Sequence, residues 1–259
     1  MTSPTRPLAL VTGASSGIGA DLARELAKDG HDLVLSARTM APMQALAAEL
    51  EMHGASSIVI AADLAKPGAA AELASALEAR GLQIDVLVNN AGLGGVGRFD
   101  QMDAQRIGDM LMINVVGLTE LTRLLLPGMV ARRRGRVLLV ASTASFQPGP
   151  RMAVYFATKS YVLSLGEALA YELRRTGVTV TTLCPGATAT NFFKAAGANE
   201  IALQPAMSAS EVARIGYRAL KAGRRVVITG MLNRVLALGG RYAPHSLTLP
   251  ATAALMSRR

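Results

Sequence analysis

The sequence predicts one α/β domain over residues 1–259, a doubly wound parallel sheet of about seven strands with helices on both faces. Three observations predict it. Short apolar, β-branched runs alternate with longer amphipathic ones. The short runs are nearly continuously apolar, as strands buried on both faces must be. No linker, repeat or low-complexity stretch divides the chain, and at 51% hydrophobic its 259 residues suffice for a sizeable core.

Strand 8–12 runs into Thr12-Gly13-Ala14-Ser15-Ser16-Gly17-Ile18-Gly19, and a helical pattern follows over 18–28. Small residues there let backbone N–H groups approach a pyrophosphate, and the helix N-terminus adds a favourable dipole. A glycine turn in this strand–turn–helix setting predicts a Rossmann-like dinucleotide site at Gly13, Ser15, Ser16, Gly17, Ile18 and Gly19. Strand 32–36 ends in Ser36-Ala37-Arg38, and no carboxylate occurs between Asp32 and Glu49. An acidic residue here would suit the ribose hydroxyls of NAD, whereas an arginine suits the 2′-phosphate of NADP. The expected cofactor is therefore NADP(H), held by Arg38 with help from Ser36; the alternative is a solvated loop arginine.

Helix 41–52, strand 57–61, helix 68–79 and strand 85–89 continue the alternation up to a glycine-dense stretch, 92–97. Helix 103–129 ends before Arg132-Arg133-Arg134-Gly135-Arg136, read as cations favoured at a helix C-terminus. Strand 136–141, helix 154–174 and strand 178–184 follow, the last ending in Cys184, the sole cysteine, which is expected to be buried. Residues 186–208 are long, small-residue-rich and aperiodic. Such loops after strand C-termini serve as lids in α/β folds, so 186–208 is expected to be a substrate loop rather than a surface excursion. Helix 210–222 and strand 225–229 close the pattern. Beyond them, 230–259 forms an extension, with an apolar run over 226–238 interrupted by Gly230, Asn233 and Arg234. It reads as a capping helix packed on the sheet. The other reading is an amphipathic segment that covers the cleft, meets a neighbouring subunit or rests on an anionic membrane.

Tyr155 and Lys159 stand four residues apart on a helical pattern, so they share a face. A phenol of pKa about 10 is tuned toward ionisation by a nearby ammonium, which suits it to exchange a proton with a carbonyl or alcohol. Such pairs also line ordinary amphipathic helices. Ser142, thirteen positions upstream, sits at a strand end.

Taken together, these motifs resemble those of the short-chain dehydrogenase/reductase family over nearly the whole chain. The glycine turn matches Thr12 to Gly19, the adenine contact Asp63-Leu64, and the Asn-Asn-Ala-Gly stretch Asn89-Asn90-Ala91-Gly92. The resemblance implies Ser142, Tyr155 and Lys159 as catalytic residues and Asn114 as the anchor of a proton-relay water. It also places Asn90, Ala91 and Gly92 along the cofactor, Pro185-Gly186 on the nicotinamide side, and Thr188 or Thr190 near the carboxamide. It implies seven parallel strands and a homodimer or homotetramer paired through the catalytic helices. The implied activity is hydride transfer between NADP(H) and a carbonyl or secondary alcohol. An apolar substrate would be lined by Val96, Phe99, Phe146, Pro148, Met152, Phe192 and Phe193, with ordinary packing the alternative for each. A non-catalytic NADP-binding regulator on this fold would typically lack the Tyr or Lys that this chain keeps.

Composition narrows the rest. The net charge is +9, yet aromatics are 4% and Trp is absent, which argues against a nucleic-acid surface. His31, His53 and His245 are scattered without metal-ligand spacing, so no metal is expected. No run of 18 uninterrupted apolar residues and no apolar N-terminal leader occur, so the expected location is cytoplasmic, with membrane-surface contact left to the tail.

Overall fold

The computed structural model describes residues 6–197 and 206–257; the side chains of residues 193, 194 and 255–257 lie outside the described ones. Among the described residues, seven parallel strands are ordered β3 (Ser57–Ala61), β2 (Asp32–Ala37), β1 (Leu8–Thr12), β4 (Val86–Asn89), β5 (Gly135–Val140), β6 (Val178–Cys184) and β9 (Val226–Ile228). The order reverses beside β1, so the chain ends leaving β1 and β4 diverge. That opens the crevice in which doubly wound sheets hold ligands.

The strand period sorts the core into two layers. Ala9, Val11, Leu33 and Leu35 face α1 (Gly17–Lys28), α2 (Met40–Glu51) and α8 (Ala209–Lys221), meeting Leu22, Leu26, Met43 and Val212. Leu10, Val34, Leu87 and Val137 face the other way. There they meet Leu73 and Leu77 of α3 (Ala69–Glu78), Leu121 of α5 (Leu118–Ala131), and Val162 and Leu163 of α6 (Ala153–Glu172). Each fully buried aliphatic side chain contributes roughly 1.5–3 kcal/mol, and a one-residue slip would reverse all of a strand's faces. Register is therefore strongly specified.

The predicted strands and helices recur with ends shifted by at most two residues, apart from three regions. First, helix 103–129 is α4 (Ala104–Leu111) and α5 joined by a π-turn, Met112–Gly117, that contains Asn114. This 28-residue stretch has the length and hydropathy of a membrane span, but it packs on α3, α6, β4 and β5. Second, the stretch 186–208, expected to be aperiodic, pairs β7 (Thr188–Ala189) with β8 (Met207–Ser208) and carries α7 (Phe192–Ala195); residues 198–205 lie outside the described ones. Third, the apolar run 226–238 splits at Gly230, whose φ of +84° turns the chain out of β9 and into α9 (Met231–Tyr242). A further helix, α10 (His245–Ser257), follows. Arg132 sits at the C-terminal end of α5 and donates to the Ile84 carbonyl at 2.9 Å, while Arg134 pairs with Asp85 at 3.1 Å. Cys184 is fully buried.

Candidate active site

The glycine turn is locked onto β4 by a small polar network. Thr12 Oγ1 donates to the Val88 carbonyl (3.2 Å) and accepts from the Asn90 and Ala91 N–H groups (3.0 and 3.1 Å). The Asn90 amide returns hydrogen bonds to the Thr12 and Gly13 carbonyls (3.0 and 3.2 Å). Gly13 has φ +66°, and a Cβ there would come within 2.7 Å of Asn90 Nδ2. Gly19 admits no side chain either: its Cβ would lie 2.3 Å from the Gly13 carbonyl oxygen. Gly13 thus shapes the turn, and Gly19 lets α1 pack against it. Such a cradle fits a pyrophosphate, since bare backbone and the start of α1 face the crevice. At the end of β2, Ser36 is buried and Arg38 is exposed, with no ion-pair partner among the described residues. A free guanidinium there fits a phosphate.

Ser142, Tyr155 and Lys159 sit at the opposite end of the crevice. Ser142, at the end of β5, begins a 3₁₀ turn (Thr143–Phe146) and accepts from the Ala144 N–H at 3.1 Å. It also hydrogen-bonds the side chain of Tyr155. Tyr155 is 9% exposed, and its ring lies 5.3 Å from that of Phe192. Lys159 is 5% exposed and donates to the Val140 carbonyl at 2.8 Å, with its Nζ 5.8 Å from the Tyr155 ring centre. Burial pushes Lys159 down to about 8. It pushes Tyr155 up to about 12, opposed only by the Ser142 hydrogen bond. The expected lowering of the phenol by the ammonium is therefore not what this geometry gives. Lys159 points at β5, and desolvation outweighs its charge.

Asn114 lies beside this pair, since a methyl on Gly92 would come within 3.1 Å of Asn114 Oδ1 and 3.5 Å of Lys159 Nζ. Its amide is committed to protein: Oδ1 accepts from Leu93 N–H, and Nδ2 donates to the Leu93 carbonyl (2.9 Å each) and to Thr158 Oγ1 (3.0 Å). It joins the segment after β4 to α6 at the residue next to Lys159.

A cavity of about 1150 Å³ connects the two ends. Of the sequence-predicted residues, Gly13, Ser15, Ser16, Gly17, Ile18, Ser36, Arg38, Leu64, Asn90, Ala91, Gly92, Ser142, Tyr155, Lys159, Pro185, Gly186, Thr188 and Thr190 line it. Three predicted site residues do not. Gly19 acts in packing, Asn114 sits behind Gly92, and Asp63 turns back to accept from the Ala65 N–H at 3.3 Å. Among the expected substrate contacts, Met152 and Phe192 line the cavity. Phe146 is buried in the main core and Phe99 is 65% exposed; Val96 and Pro148 are half-buried but off the cavity wall. The side chain of Phe193 lies outside the described residues.

Sequence reasoning missed Arg106 and left the tail open between a capping helix and a cover over the cleft. Arg106 of α4 donates to the Ala195 carbonyl at 2.7 Å and to the Gly94 carbonyl, clasping α7 to the stretch after β4. The tail also forms a wall, through Leu232, Val235, Leu236, Leu247 and Thr248 among others. It is seated by Gln147, which donates to Thr252 at 3.1 Å, and by Asn233, packed on Gly186. The signal for the tail was present in the spacing of Leu232, Leu236 and Gly239, four and three residues apart.

A parallel sheet with a glycine cradle at its switch point and a buried Tyr–Lys pair along the same crevice defines an oxidoreductase of the doubly wound α/β class. The chain belongs to the short chain dehydrogenase family, whose sequence pattern matches residues 7–201. It is 37% identical over 190 residues to an uncharacterized oxidoreductase of Myxococcus xanthus, covering 71% of this chain and 75% of that one. A short-chain dehydrogenase from Sphingobium yanoikuyae, solved in complex with NADPH, superposes with a TM-score of 0.82 at 34% identity; 90% of this chain and 92% of that chain are covered. A bulky-bulky ketone specific alcohol dehydrogenase from Comamonas testosteroni gives a TM-score of 0.79 at 33% identity, covering 90% of each chain.

Proposed function

We infer that the protein is an NADPH-dependent reductase of apolar ketones, with Tyr155 as the proton donor. The observation that carries this reading is the placement of Tyr155. It lies beside Ser142 and Lys159 within an apolar-walled cavity that continues to the glycine cradle and to Arg38, which has no ion pair among the described residues. The Sphingobium relative binds NADPH and the Comamonas relative is specific for bulky ketones, which supports both halves.

Gly13 to Ile18 would hold the pyrophosphate with backbone N–H groups, and Arg38 and Ser36 would hold the 2′-phosphate. Leu64 would bound the adenine, while Pro185, Gly186 and Thr188 or Thr190 would bound the nicotinamide end. When bound, the reduced nicotinamide supplies the hydride. Ser142 donates a hydrogen bond to the substrate carbonyl and stabilises charge developing on its oxygen. Tyr155 gives that oxygen its phenolic proton. Lys159 supports the resulting phenolate by its charge and restores the proton. Asn114 fixes Thr158 and hence Lys159. With its amide occupied, any relay water is held by backbone carbonyls that the π-turn loosens from the helical ladder. Exposed Leu124, Tyr161 and Tyr171 on α5 and α6 support pairing of two copies through these helices.

The reading is tested by a panel of ketones and aldehydes with NADPH, followed by nicotinamide absorbance. Turnover is expected with bulky apolar ketones, and absence of turnover across aliphatic, aromatic and steroid-like carbonyls overturns it.

The pH dependence has a definite sign. Lys159 loses its charge as pH rises through about 8, whereas Tyr155 keeps its proton to about 12. Reduction therefore needs the acid limb: kcat/KM is flat below about 8 and falls roughly tenfold per pH unit above it. Lys159→Arg, if active, moves this limb upward, because guanidinium stays charged. A flat wild-type profile to pH 10 removes Lys159 from proton supply.

A further inference from the structure

The chain's charge is not evenly spread. Residues 212–259 contain nine Lys and Arg and no Asp or Glu, so the first 211 residues, with eighteen of each sign, are neutral; Arg214, Arg218 and Lys221 stand on α8 in the other layer, Arg224 and Arg225 precede β9, and Arg234 and Arg241 stand on α9. Among the described cations of this stretch, only Lys221 and Arg241 have ion-pair partners, Asp29 at 2.7 Å and Glu167 at 3.7 Å.

Helix α9 sets its two arginines, Arg234 and the Glu167-paired Arg241, beside an inverted surface pattern. Its inner face is Asn233, Ala237 and Gly240. Its outer face, where a water-exposed helix carries polar residues, bears Met231 (76% exposed), Val235 (61%), Leu238 and Tyr242 (80%) at i, i+4, i+7 and i+11. Leu232 and Leu236, both 61% exposed, widen the same face, and Leu247 and Leu249 of α10 extend it. Arg234 and Arg241, seven residues apart, stand together on one flank. A broad apolar face edged by arginines is the pattern of a helix lying in a bilayer interface, where long cations reach back to headgroups.

The face is also continuous with the cavity. Met231, Leu232, Val235, Leu236 and Leu247 are exposed and line it at once, so its mouth opens within the apolar patch. We propose that α9 and α10 dock on an anionic lipid bilayer, inserting the Met231–Tyr242 face among the acyl chains, so that an apolar ligand passes between membrane and cavity without crossing water. A second copy of the chain fits less well, because the patch would have to find carboxylates on a neutral body and leave the cavity mouth covered. The docking stands independently of the reaction assigned above, since it is read without turnover.

The test is co-sedimentation of the full chain with vesicles of equal phosphatidylglycerol and phosphatidylcholine, against phosphatidylcholine alone. The expected result is binding to the anionic vesicles, weakened by 0.5 M salt at about the Debye screening that such salt imposes. The double variant Leu238→Ser/Tyr242→Ser, outside the cavity wall, lowers the bound fraction by about tenfold, and Arg234→Gln weakens it less. Circular dichroism confirms that each variant keeps its fold. Failure of the wild type to sediment, or undiminished binding by the double variant, overturns the proposal. So does a salt-resistant oligomer, dissociated by the double substitution, with no vesicle binding; that outcome assigns the face to a second copy.

Discussion

Tyr155→Phe lowers kcat for ketone reduction by about 10³-fold while leaving NADPH affinity within a few fold. The size follows from the role: a positioned proton donor is worth roughly 10²–10⁴ in rate, and 10³ corresponds to ~4 kcal/mol of barrier. The substitution is clean because it removes one oxygen. The Tyr155 ring packs among Met110, Met152 and Phe156 and against Phe192, contacts that Phe keeps. The Ser142 side chain loses a partner but still accepts from the Ala144 N–H, so stability should move by no more than about 1 kcal/mol. Cofactor residues from Gly13 to Arg38 lie at the other end of the cavity and are untouched. Stopped-flow hydride transfer and fluorescence titration with NADPH separate the two effects. Near-wild-type turnover would falsify the assignment of Tyr155 as the acid, and lost NADPH binding with retained chemistry would place it in the cofactor site instead.

The sheet and the glycine cradle were legible because each is written locally. Leu8–Thr12 is apolar along its length, the turn after it has no residue with bulk on its backbone side, and Gly13 and Gly19 are dictated by contacts within the same βα unit. The Ser142, Tyr155 and Lys159 cluster was legible for a related reason, since two of its members share a helix. What was not legible depends on distant partners. Whether Lys159 faces the phenol or the Val140 carbonyl is decided by β5, and spacing on α6 says nothing of it. Asp63 reads as a site residue from its sequence context, and spacing does not show that one of its carboxylate oxygens also holds the turn after β3. Phe146 and Phe99 were grouped with the substrate by proximity in sequence, but the 3₁₀ turn after Ser142 sends one into the core and the short 3₁₀ turn Phe99–Gln101 leaves the other in water. The tail was hardest. Its outward apolar face has the same periodicity as an inward one, and only the position of the cavity tells which side is which.

Arg38→Asp reverses cofactor choice, shifting the ratio of kcat/KM for NADPH over NADH by about 10³ toward NADH. Two contributions of the same sign add. Losing a charged hydrogen bond to the 2′-phosphate costs about 1.5–3 kcal/mol, and the new carboxylate repels that phosphate. For NADH the same carboxylate gains, because it can accept hydrogen bonds from the ribose hydroxyls at this strand end. The fold should not register the change. Arg38 is exposed and makes no ion pair among the described residues, and it stands just before Thr39, the N-cap of α2. An acidic residue there favours the helix dipole, so the melting temperature holds or rises slightly. Steady-state kinetics with both cofactors measures the ratio, and raising the salt distinguishes the sources. The KM for NADPH in the wild type should rise with ionic strength, whereas in the variant it should fall or stay level, since attraction has become repulsion. A ratio unchanged by the substitution means that Arg38 is a solvated loop arginine, and the preference for NADPH must then be sought at Ser36 or at the pyrophosphate turn. A ratio shifted only about tenfold would mean that Ser36, buried at the end of β2, holds the phosphate nearly as firmly as the guanidinium does.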